Sequence, residues 1–118
     1  MLVGSELGRT LLAELPTPDQ WLVPTIVQLE LMKWVSREIS VDFAEQVIAF
    51  SRTCVLAPLD TETALAAAEV CSAYGLATAD AIIYATSQAH GAELLTCDSH
   101  FANLADVLFV PKVIPRLQ

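Results

Sequence analysis

The chain has 118 residues, enough for one domain with a single buried core. Apolar residues make up 54% of it and mean hydropathy is +0.52, which excludes a disordered chain. Fourteen acidic against six basic side chains give a net charge of −8, which excludes nucleic-acid binding through a bulk basic surface. An enzyme whose metal ions neutralise substrate phosphates stays open, as does a basic protein partner.

Uncharged stretches such as Val70–Ala79 are short and carry Ser72 and Thr78, so no membrane span is expected. Met-Leu-Val-Gly-Ser-Glu lacks a basic start followed by an apolar run, which predicts no signal peptide and a cytoplasmic location. Cys54, Cys71 and Cys97 are odd in number and far apart, a pattern of separate thiols rather than of a disulfide framework or a zinc site.

In chain order, Ser5 to Glu14 has helical spacing of leucines, closed by Pro16 and Pro18. Trp21-Leu22-Val23 reads as a short strand, and Pro24 and Thr25 open a helix to about Glu38. A second helix runs from about Ser40 to Arg52 with Asp42 in its first turn. Cys54 to Leu59 is a strand ended by Pro58. Asp60 is the expected N-cap of a helix from Thr61 to about Tyr74, and Gly75 its left-handed stop. Thr78 is expected to cap a helix from Ala79 to His90, with Gly91 as a second stop. Glu93 to Thr96 is a strand, Ser99 to Asn103 a loop or single turn, and Val107 to Val110 a last strand. Strands alternating with helices predict an α/β fold, three-layer α/β/α with a mostly parallel sheet, in one domain over 1–118.

Three acids stand out against this frame. Asp98 falls two residues after an apolar strand, at the carboxyl end where sites of open parallel sheets gather. Taken alone, the residue is explained more simply as an Asp in an ordinary turn, since Cys-Asp-Ser-His is turn-like. Asp80 lies in the first turn of a helix that is apolar nearly all round, which predicts partial shielding and a need for donors or a cation. The plain alternative is an acid favoured by the helix dipole, worth about 0.3–1 kcal/mol. Glu30 stacks with Ile26 and Trp34 on an otherwise apolar helical face, or simply pairs with Lys33. Carboxylates brought together repel unless a cation sits among them, and Mg²⁺ prefers such oxygens. His90, near a helix end, is explained by the dipole.

The segments that carry these acids resemble a known family. Val23-Pro24-Thr25-Ile26-Val27-Gln28-Leu29-Glu30 is similar to the stretch around the internal Glu of PIN-domain proteins. Tyr74-Gly75-Leu76-Ala77-Thr78-Ala79-Asp80-Ala81 looks like the family's most distinctive segment. Glu93-Leu94-Leu95-Thr96-Cys97-Asp98-Ser99-His100-Phe101 resembles its closing strand, Thr-x-Asp and Phe. Order and spacing resemble the VapC-type toxins of toxin–antitoxin pairs. The resemblance implies an Mg²⁺- or Mn²⁺-dependent endoribonuclease that cuts RNA with a metal-activated water. It also implies a homodimer held inactive by a cognate antitoxin, with Glu30, Asp80 and Asp98 as metal ligands. Lys33 and Ser99 are secondary candidates for touching phosphate or orienting the acids.

Two departures qualify the resemblance. Where some relatives carry a further acid two residues after the Asp98 position, this chain has His100. The family also opens with a strand ending in Asp-Ser/Thr, whereas Met1 to Leu7 resembles the region just after it. The first strand and its Asp are therefore expected to be missing. That leaves a second reading, a catalytically impaired domain that serves as an antitoxin-binding or dimerisation module.

Overall fold

The computed structural model describes residues 16–110. The expected helix from Ser5 to Glu14 and the expected loss of a strand before it lie outside the described residues. Chain contacts divide the molecule into two compact units, one over Thr17–Ala92 and one that contains residues 93–110.

Within Thr17–Ala92, a 3-10 turn Pro18–Gln20 leads into strand β1, Leu22–Pro24. Helices α1 (Thr25–Glu38) and α2 (Val41–Ser51) follow, then β2 (Val55–Ala57), α3 (Thr61–Tyr74) and α4 (Thr78–Ala89). β1 and β2 pair in parallel, with Val23 opposite Leu56 and Pro24 opposite Ala57. The crossover between them is the α1–α2 pair, whose two helices pack against each other. Trp21 and Phe50 meet edge to face with ring centroids 5.9 Å apart. The Gln28 amide donates to the buried Ser51 hydroxyl at 2.9 Å, which ties α1 to the end of α2.

Pro24 closes β1 and stands at the cap of α1, so the helix proper begins at Thr25 rather than at the proline. Ser40 caps α2 through a bond from the Phe43 N–H. α3 starts and stops where the cap residues require. Asp60 accepts from the Thr63 N–H at 2.8 Å, and Gly75 takes φ +66°, which only a residue without a Cβ adopts at no cost. The core of this unit lies between α3 and α4. Ala67, Ala81 and Ala85 are buried there, with Val70, Cys71, Leu76 and Ile82 packed around them. The chain bends by 116° from α3 to α4.

Thr78 does not cap α4. It is the first helical residue, and Ala77 occupies the cap position with extended backbone and no side-chain cap bond. Two adjacent residues compete for one role, and the extended backbone of Ala77 settles it one residue earlier.

In the second unit, β3 (Leu94–Thr96) and β4 (Val107–Phe109) pair in parallel, with Leu95 opposite Leu108. Between them runs a 3-10 turn, Ser99–Phe101, whose Phe101 ring is buried. The α/β class with parallel strands is thus as expected. All three cysteines are free and half-buried. Among the described residues no single helix is long and apolar enough to cross a membrane.

The cap at Asp60 yields a pH prediction. Its carboxyl is held below its ordinary value, chiefly by the Thr63 N–H and next by the Thr63 hydroxyl. A carboxylate depressed in the folded state adds stability above its unfolded pKa and loses it as pH falls through the folded value. Asp60→Asn keeps a competent cap without the charge. Between about pH 5 and about pH 2, urea midpoints should therefore fall further for the wild type than for Asp60→Asn. Parallel acid limbs in the two proteins would rule out this cap as a contributor.

Candidate metal centre

The apolar run 94–96 becomes β3, and Asp98 follows its carboxyl end by two residues. The Thr96 hydroxyl accepts the Asp98 N–H at 3.0 Å, so the Thr-x-Asp spacing is a side-chain-closed turn that aims the carboxylate. Asp98 in turn caps the 3-10 turn: its Oδ1 accepts the His100 N–H at 2.9 Å. The same Oδ1 lies 3.0 Å from His100 Nδ1. Asp98 is half-buried, whereas Ser99 and His100 are exposed.

Asp80 sits in the first turn of α4 and is half-buried, as the apolar surroundings predict. Its neighbours Ala81, Tyr84, Ala85, Thr86 and Ser87 are buried, so the start of this helix is anchored on several sides. The Tyr84 ring lies edge to face with Tyr74, centroids 6.0 Å apart. Thr86 and Ser87 turn their hydroxyls onto the helix's own carbonyls, at Ile82 and Tyr84. That leaves Asp80 as the ionisable side chain of the first turn.

Glu30 projects from α1, and it is exposed, as is Lys33 one turn on. Trp34, 52% exposed, and Leu29 lie open beside it, so this face of α1 is apolar but not buried. α1 packs on β1 and on α4 within the same unit as Asp80. The structure thus links Asp98 to His100, and it sets Glu30 and Asp80 on two packed helices. The side-chain pairing of Asp98 with His100 and the orienting hydroxyl of Thr96 escaped sequence reasoning. The Thr-x-Asp-x-His spacing was the available signal, since a hydroxyl two residues before an Asp closes a turn onto its N–H.

The class is that of an α/β chain with parallel strand pairs, with one acid just past a strand's carboxyl end and another in the first turn of α4. Carboxylate oxygens are the donors that hard divalent cations take. A PIN domain family model matches residues 2–107, and the chain belongs to the PIN domain family. PIN domains are generally nucleases that use a divalent metal, and at that level the chain is an enzyme. In fold it is similar to a toxin–antitoxin complex from Klebsiella pneumoniae, with a TM-score of 0.75 and 23% identity. That match covers 94% of this chain and 88% of the other. No curated protein sequence matches it.

Proposed function

We propose that this protein is the ribonuclease toxin of a toxin–antitoxin pair, cutting RNA phosphodiesters with Mg²⁺ or Mn²⁺ held by Glu30, Asp80 and Asp98. The observation that carries the reading is the PIN family match across residues 2–107, which spans all three acids. Asp98 just past the end of β3 and Asp80 in the first turn of α4 support it, since each offers the carboxylate oxygens that such an ion takes. The donor set fits the metal: carboxylate oxygens are the ligands a hard divalent ion prefers. When bound, the ion supplies positive charge at the phosphate and acidifies water.

The remaining steps belong to the chain's own groups. The Thr96 hydroxyl fixes the turn that presents Asp98, and the packed start of α4 fixes Asp80. Lys33 and Ser99, both exposed, are the groups proposed to meet substrate phosphate. With a net charge of −8, affinity for RNA rests on such local contacts and on the ion, not on a basic surface.

A cognate antitoxin and a second copy of the chain are the proposed protein partners, in the cytoplasm. The α1–α2 pair supports a protein partner: Leu29, Trp34, Ile39 and Phe43 are exposed large apolar side chains on it.

The reading is tested by incubating the purified chain with structured RNA and Mg²⁺ or Mn²⁺, with a chelator and Asp98→Asn alongside. Cleavage is expected with metal alone, and it should disappear with the chelator and fall by at least about 100-fold in the variant. Folded protein that binds its antitoxin yet never cleaves would establish the impaired binding module instead.

A further inference from the structure

We propose that His100 serves as a nitrogen ligand to the ion held at Asp98 and shifts this chain's metal preference from Mg²⁺ toward Mn²⁺ and Co²⁺. This inference rests on the ribonuclease reading for the presence of an ion at Asp98. It concerns a position where some relatives carry a further acid and this chain carries an imidazole.

Three observations carry it. His100 Nδ1 lies 3.0 Å from Asp98 Oδ1. That is the distance of a pair sharing a proton. An ion bound by both takes the place of that proton with little movement, because neighbouring donors in an octahedral shell with bonds of about 2.1 Å also lie about 3.0 Å apart. The backbone also enforces the pair. The His100 N–H is bonded to the same carboxylate, and the turn ends on the buried Phe101. Lastly, the imidazole is 74% exposed and the carboxylate 41%, so the side chains are open to an arriving ion. A surface Asp–His pair with that exposure contributes little to stability by itself.

The chemistry then decides the metal. Carboxylates suit Mg²⁺ and Mn²⁺ alike, whereas imidazole suits transition ions, and affinity for nitrogen rises from Mn²⁺ to Co²⁺. Replacing an oxygen donor by nitrogen weakens Mg²⁺, which dehydrates reluctantly, more than it weakens the others.

The full chain is titrated with Mg²⁺, Mn²⁺ and Co²⁺ separately and followed by thermal shift. Bound Mn²⁺ is also examined by pulsed electron paramagnetic resonance for coupling to a ligating nitrogen. The wild type is expected to show imidazole coupling, and His100→Ala to lose it. His100→Asp should move the Mn²⁺-to-Mg²⁺ affinity ratio toward Mg²⁺ by about tenfold. Asp98→Asn is the control on the underlying reading and should weaken all three ions. Mn²⁺ bound without nitrogen coupling, or an unchanged ratio in His100→Asp, overturns the role of His100 while leaving the nuclease reading intact. Loss of nothing in Asp98→Asn, or no ion bound by the wild type, overturns both.

Discussion

Asp80→Asn should lose metal-dependent RNA cleavage by at least about 100-fold while keeping its thermal midpoint in metal-free buffer within a few degrees. The two halves of this result separate the competing roles of the residue. As an acid at a helix start, Asp80 would be worth about 0.3–1 kcal/mol, and its loss would lower stability slightly whether or not metal is present. As a metal ligand it matters only when the ion is bound. A ligand at 100 times its dissociation constant stabilises the native state by about 2.7 kcal/mol. Wild-type protein should therefore gain stability on adding Mn²⁺, and Asp80→Asn should gain much less. The response to added metal decides between the roles, because a half-buried helix-end acid gains nothing from Mn²⁺ whereas a ligand does. Equal stabilisation by Mn²⁺ in both proteins, with cleavage intact, would return Asp80 to the status of a helix-end acid.

How much of this was legible in the sequence depended on whether local chemistry decided the outcome. α3 runs over the expected span because an Asp cap and a left-handed Gly are short-range signals that packing did not override. The strands are shorter than their apolar runs: Cys54 to Leu59 yields only Val55–Ala57, since pairing with the three residues of β1 sets the length. Asp98 was placed correctly after its strand, yet its contact with His100 depended on a 3-10 turn that composition does not encode. Glu30 shows a different limit. Helical periodicity identifies an apolar face, but it cannot tell a face buried in the core from one left open, and Trp34 and Leu29 beside Glu30 are open. An open apolar face is what a binding partner would cover, so the same residues that obscured Glu30 support the proposed protein partner.

Ala81→Leu should lower stability by about 2–3 kcal/mol and the thermal midpoint by roughly 10 °C. Ala81 has no exposed surface and meets Ala67 and Ala85 where α3 and α4 pack. Small side chains at such a crossing let two helices approach closely, and three added carbons must push them apart or adopt poor rotamers. Leu and Ala have similar helix propensity, so the cost is one of packing. Ala68→Leu on α3, at an exposed position, makes the same chemical change and should stay within about 0.5 kcal/mol of the wild type. Ala81 directly follows Asp80, so the overpacked helix start should also displace the acid, and cleavage should fall together with stability. Asp80→Asn and Ala81→Leu then form a pair: one removes chemistry and keeps the fold, the other disturbs the support on which that chemistry stands. Urea melts that place Ala81→Leu and Ala68→Leu together would mean that α3 and α4 pack more loosely than the burial of Ala81 implies.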